Sequence, residues 1–124
     1  MGKWILDSGA TVSVTNELKL LTNIEDCVPI KYIRLANGQV ISIEKRGTVS
    51  IKGVKSRGGI TKIEINNVYY SSNFSNNLLS IYQLYNQLNI TTIFKNDCFL
   101  QFMDGSSVKV SRNRLGQYEL FNID

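Results

Sequence analysis

Trp4-Ile5-Leu6-Asp7-Ser8-Gly9-Ala10-Thr11 puts a carboxylate at the end of an apolar run and follows it with a hydroxyl, a glycine and an alanine. The run reads as a short strand and Asp7-Ser8-Gly9 as a tight turn. In such a turn Ser8 can hold the backbone rigid, Gly9 lets another backbone approach closely, and Ala10 leaves room beside the acid. Asp-Ser-Gly turns also occur on many surfaces with no chemical role. What distinguishes this one is its frame. Beyond it, Val12 and Val14 alternate with Thr11 and Ser13, the pattern of a half-buried strand across residues 10–14.

Working outward, strands dominate. Residues 16–21 read as one or two helical turns, with Thr15 or Asn16 as cap. Residues 29–35 and 40–44 alternate on either side of Ala36-Asn37-Gly38-Gln39, a hairpin whose Asn-Gly pair favours a type I′ turn. Residues 47–52 form the next strand. Gly58-Gly59 turns the chain into a long strand over 60–70, with Ile63, Ile65 and Val68 facing in. After a polar loop over 71–77, residues 78–88 carry apolar side chains at 78, 81, 82, 85 and 88, a helical face with Ser75 or Asn76 as its cap. Residues 90–94, 98–103, 108–111 and 118–121 complete the strands, with Asp104-Gly105 as a turn. The sum is a mostly-β single domain over 1–124 with one real helix late in the chain.

Composition narrows the chemistry. The 124 residues are 43% hydrophobic and 19% charged, ordinary for one packed domain. No apolar run approaches the roughly 20 residues of a membrane helix. Met1-Gly2-Lys3 leads into the first strand without the pattern of a secretory signal, and Leu6 stands where myristoylation needs Ser or Thr. The first two residues fit an expression start on a piece of a longer chain. The net charge of +4 is scattered rather than striped, which argues against nucleic acid as the primary ligand. Cys27 and Cys98 lack metal-ligand spacing and read as reduced thiols in a cytosolic protein. Histidine is absent, so Ser-His and Cys-His nucleophiles and His-containing zinc sites are excluded within the chain.

The segment over residues 4–11 closely resembles the protease signature of Ty1/copia-type retrotransposons, a branch of the retropepsins. The resemblance continues through Leu35-Ala36-Asn37-Gly38 and Gly47-Thr48-Val49. It extends to Asn67-Val68-Tyr69-Tyr70 and Asn76-Asn77-Leu78-Leu79-Ser80-Ile81-Tyr82-Gln83-Leu84, which look like the family's "NVLYVP…NLLSVSQL" block. Arg114-Leu115-Gly116-Gln117-Tyr118-Glu119-Leu120 resembles the opening of the pre-integrase region of the same polyprotein. The implied fold is a retropepsin-like acid protease: a small β-barrel with a flap hairpin and one C-terminal helix, active as a symmetric homodimer. Residues 90–94 fall where the family places a strand of its dimer sheet. Residues beyond about 95 exceed the family's minimum, as extra hairpins, a replacement for part of the dimer interface, or the start of the next segment.

The resemblance also implies the roles. Asp7 is catalytic, one from each of two subunits, and the pair holds one water and one proton, because two carboxylates near 3 Å apart do not both ionise. Ser8, Gly9 and Ala10 support the active-site loop, with Ser8 cross-linking the two loops. Thr11, Val12, Val14 and Leu78 contact substrate; Thr11 replaces the family's common acidic anchor, and the valines and Leu78 read equally well as core. Ala36, Asn37 and Gly38 form the flap, or simply a good hairpin turn. Leu78-Leu79-Ser80 packs behind the active-site loop. The expected activity is aspartic endopeptidase processing of a Gag-Pol polyprotein in the cytoplasm, within virus-like particles. It needs no cofactor, metal or membrane. Two other readings compete: a silent dimerisation or binding module of a domesticated element, and a small β-domain that binds nucleic acid.

Overall fold

The apolar run at the start of the chain becomes an inner stave because both of its edges find partners. The computed structural model describes residues 2–35 and 38–123. The strands in chain order are β1 (Lys3–Asp7), β2 (Val14–Thr15), β3 (Thr22–Glu25), β4 (Tyr32–Arg34), β5 (Val40–Ser42), β6 (Lys45–Val54), β7 (Ile60–Tyr70), β8 (Leu78–Ser80), β9 (Thr91–Phe94), β10 (Cys98–Gln101), β11 (Ser107–Arg112) and β12 (Tyr118–Asn122). The described residues include one α-helix, α1 (Ile81–Leu88), and a 3-10 turn at Leu18–Leu20. This is the mostly-β chain with a single late helix that the patterning anticipates.

Six strands close into a barrel in the order β6-β7-β2-β8-β1-β12 and back to β6. The long β6–β7 hairpin forms one wall, with Val49 opposite Ile65 and Ile51 opposite Ile63. β1 runs parallel to β8 on one edge and antiparallel to β12 on the other. Closure falls to β12, which pairs Phe121 with Lys52 and Asn122 with Ile51 of β6. The stretch expected as an addition beyond residue 95 therefore supplies a barrel stave, while β9, β10 and β11 extend the sheet outward from it. Trp4, Val49, Ile51, Ile65, Leu79, Leu84, Leu100 and Val108 are buried together in the main core.

A smaller core sits under the β4–β5 hairpin. Ile41 and Ile43 are buried there with Val14, Tyr69 and Phe74, and Ile33, Leu35, Val12 and Leu78 pack against them partly covered. Asn37 lies outside the described residues, so the conformation expected at Asn37-Gly38 is described only at Gly38, with φ +87°. The register pairs Arg34 with Val40, and Leu35 N donates to Gln39 O at 2.8 Å while Gly38 N donates to Leu35 O at 2.9 Å. That spacing leaves three residues in the connection, where a type I′ turn would leave two.

Four local expectations are corrected. The half-buried strand read over residues 10–14 shrinks to Val14–Thr15, since Ala10 to Ser13 forms a loop. The helix read over 78–88 begins at Ile81, because Leu78–Ser80 joins the barrel between β1 and β2. Its cap is Ser80, whose side chain accepts from Gln83 N, not Ser75 or Asn76. The face is also different: Tyr82 and Tyr85 are more than half exposed, while Gln83 and Leu84 point inward.

Candidate active site

β1 ends on Asp7 because β8 runs beside it and delivers Ser80 opposite Asp7 in parallel register. Beyond Asp7 the chain leaves the sheet. Asp7 Oδ1 accepts a hydrogen bond from Gly9 N at 2.8 Å, the local bond with which aspartate stabilises a tight turn. A Cβ at position 9 would sit 3.3 Å from that same oxygen, so glycine keeps one side of the carboxylate uncrowded. Ser8 is exposed.

The loop that follows has no ladder partner through Ala10 to Val12 and is fixed from below. Ser80 Oγ donates to Ala10 O at 2.7 Å and accepts from Gln83 N at 3.1 Å. Ser80 N donates to Ser13 Oγ at 2.9 Å. Ser13 N donates to Gln83 Oε1 at 2.8 Å. Ser13, Ser80 and Gln83 are all buried, and their donors and acceptors are matched as a buried polar cluster requires. Asn77 adds a second stitch: its backbone carbonyl accepts from Ile5 N at 2.9 Å and its side-chain oxygen accepts from Thr15 Oγ1 at 2.6 Å.

Above the loop lies a groove of about 490 Å³. Asp7, Gly9, Ala10, Thr11, Val12, Val14 and Leu78 all line it, and its opposite bank is Ile33, Arg34 and Leu35 of the β4 segment with Ser75 and Asn76. Ser8 and Gly38 do not line it; Ala36 and Asn37 lie outside the described residues. Ile33, Arg34, Leu35, Ser75 and Asn76 are the positions that reading the sequence missed. Alternation in the hairpin carried the signal for two of them, since Ile33 and Leu35 fall on one face. Asp7 is the acidic side chain of this lining. The other aspartates among the described residues are engaged elsewhere: Asp26 pairs with Lys45, and Asp97 lies 3.5 Å from Lys109. Bonds from the Ser106 hydroxyl and amide hold the Asp104 carboxyl below its usual range.

The described residues thus form a small closed barrel with a strand-end carboxylate lining a largely apolar groove. Residues 4–89 match the family described as Pol polyprotein, beta-barrel domain, and the chain belongs to that family. It is 31% identical over 91 residues to the retrovirus-related Pol polyprotein from transposon RE1 of Arabidopsis thaliana, covering 73% of this chain and 6% of that protein. The corresponding protein from transposon RE2 of the same plant gives the same identity and coverage. The chain thus spans a small fraction of the length of these relatives. No solved structure matches it.

Proposed function

We propose that this Pol barrel domain is the aspartic endopeptidase of a Ty1/copia-type retrotransposon polyprotein, assembled from two copies that each contribute Asp7. The observation that carries this reading is the placement of the strand-end carboxylate in the floor of a groove walled by Val12, Val14, Ile33, Leu35 and Leu78. One carboxylate cannot both activate water and donate a proton, so the reaction needs its symmetry mate. With the two carboxyls about 3 Å apart, one holds the shared proton. The charged one takes a proton from water as it attacks the scissile carbonyl. The protonated one polarises that carbonyl and then supplies the proton that the leaving nitrogen needs.

The surrounding geometry suits an extended peptide. The groove runs between the Gly9–Thr11 backbone and the β4 segment, so a substrate strand can lie between them and bond to both. Closing the β4–β5 hairpin excludes water from the reacting carbonyl. β1 has both edges hydrogen-bonded within its own chain. A second copy therefore meets this one through the Ser8 turn, not by strand exchange at β1, and Ser8 is the exposed hydroxyl available to link the two turns.

The test is cleavage of the parent polyprotein by wild type and by Asp7→Asn, with products identified by mass spectrometry. Pepstatin-sensitive cleavage that is best at mildly acidic pH and lost in Asp7→Asn is the expected result. Cleavage that persists unchanged in Asp7→Asn, or no cleavage by wild type at any concentration, refutes the assignment and leaves a binding module.

A further inference from the structure

We infer that Gln83 is a positioning residue for the catalytic turn, fixing the height of the Ser8–Ser13 loop against Asp7; this rests on the peptidase reading above. Three residues close a ring of hydrogen bonds. Ser13 N donates to Gln83 Oε1, Gln83 N donates to Ser80 Oγ, and Ser80 N donates to Ser13 Oγ, at 2.8, 3.1 and 2.9 Å. From this ring one bond leaves toward the site, Ser80 Oγ to Ala10 O at 2.7 Å. Another leaves toward the wall of the barrel, Gln83 Nε2 to Asn67 O at 3.0 Å. Gln83 is 5% exposed and its ring partners are fully buried.

A side-chain amide is the group this place requires. Its oxygen must accept from Ser13 N while its nitrogen donates to Asn67 O, in one planar unit of fixed spacing. An apolar side chain of the same length strands the buried Ser13 N–H and leaves the part-buried Asn67 C=O without this donor. The loop above has no ladder partners through Ala10 to Val12, so its position depends on this support. Ala10 and Thr11 line the groove with Asp7. A shift of the ring therefore moves backbone that faces the scissile bond, and misplacement is felt in the transition state more than in ground-state binding.

Gln83→Glu separates positioning from bulk stability. When its carboxyl is protonated, the hydroxyl donates to Asn67 O and the other oxygen accepts from Ser13 N, restoring the ring. When it ionises, the donor is lost and a charge faces the Asn67 carbonyl. Against wild type at each pH, Gln83→Glu is expected to keep its kcat under acidic conditions and lose about tenfold toward neutrality, with KM little changed. Gln83→Met is expected to lose a similar factor at every pH. Thermal melts confirm that each variant stays folded at the assay temperature, and backbone amide exchange gives a readout independent of catalysis. Faster exchange at Ser13 and neighbouring loop amides in both neutral-pH variants supports the inference even if wild type proves not to cleave. A Gln83→Glu profile that parallels wild type across pH, or unchanged exchange of those amides, overturns it. Should Gln83→Met not fold, the acid-rescued Gln83→Glu decides the matter alone.

Discussion

Trp4 and Asn122, 118 positions apart, are joined by a hydrogen bond from the indole Nε1 to Asn122 Oδ1 at 2.6 Å. The bond ties the first strand to the last at the seam where the barrel closes. Trp4 is fully buried, and Asn122 N also donates to Gly2 O at 3.0 Å. Asn122→Leu keeps the volume but leaves a buried indole N–H without an acceptor, which costs about 1–3 kcal/mol. Circular dichroism melts are expected to show a Tm lower by roughly 5–10 °C. A melting temperature equal to wild type would mean that the seam does not depend on this contact.

Gly47 marks a place where the barrel tolerates no side chain. It stands where β6 meets β3 and where the β6–β7 register shifts. A Cβ there would lie 2.8 Å from the Thr22 carbonyl oxygen and 3.0 Å from Leu21 Cβ. Backbone cannot swing aside as a flexible side chain can, so Gly47→Ala is expected to destabilise by about 1–3 kcal/mol. Gly38 is the useful contrast, because a Cβ there meets nothing within 4 Å although φ is +87°. Gly38→Ala pays only the left-handed backbone penalty of about 1–2 kcal/mol. Urea midpoints for the two variants test whether contact or conformation dominates.

The barrel strands were legible because their alternation is strong: Ile63 and Ile65 face in two residues apart, while Val68 regains the inner face because the β6–β7 register shifts between Gly47 and Val49. The Asp7 turn was legible from its apolar frame. The helix face was not, and the cause is specific. Leu78 looks helical in sequence but is held in the sheet beside Ile5, which shifts the apparent apolar stripe. The inward face is then chosen by hydrogen bonding. Gln83 reaches Ser13 and Asn67, and Gln87 accepts from Asn66 N and donates to Asn66 O. No periodicity of apolar residues reports such bonds. Closure by β12 was equally hidden, since a partner about 70 residues away, Lys52 for Phe121, leaves no local trace.

The two cysteines are expected to behave differently. Cys27 is exposed and Cys98 is buried. Burial pushes the Cys98 thiol from an ordinary 9.0 up to about 11. Only the thiolate reacts, so iodoacetamide is expected to label Cys27 alone in the native protein and both after denaturation. Stability follows with a definite sign. The folded state favours the protonated thiol, so its contribution is complete below pH 9 and is lost as the pH rises through about 11. About two pH units of displacement correspond to roughly 2–3 kcal/mol. Urea midpoints measured from pH 8 to 11 are expected to fall more in wild type than in Cys98→Ala, and parallel curves would contradict the assignment.

Shared catalysis makes a quantitative demand on mixtures. If each site needs Asp7 from two copies, a chain carrying Asp7→Asn poisons every intact chain with which it pairs. Mixing the two proteins in equal amounts under random pairing leaves roughly a quarter of the pairs with two intact carboxyls. The rate is then expected to fall to about that fraction of the rate of wild type at the same total concentration. Dilution gives the complementary result: activity per chain declines once the concentration drops below the pair's dissociation constant, and Ser8→Ala moves that decline to higher concentration. Sedimentation equilibrium on the same samples fixes the pairing independently. Activity that falls only to one half in the equal mixture, together with activity per chain that is flat on dilution, would assign the whole reaction to a single copy. The catalytic partner of Asp7 would then have to be sought within its own chain.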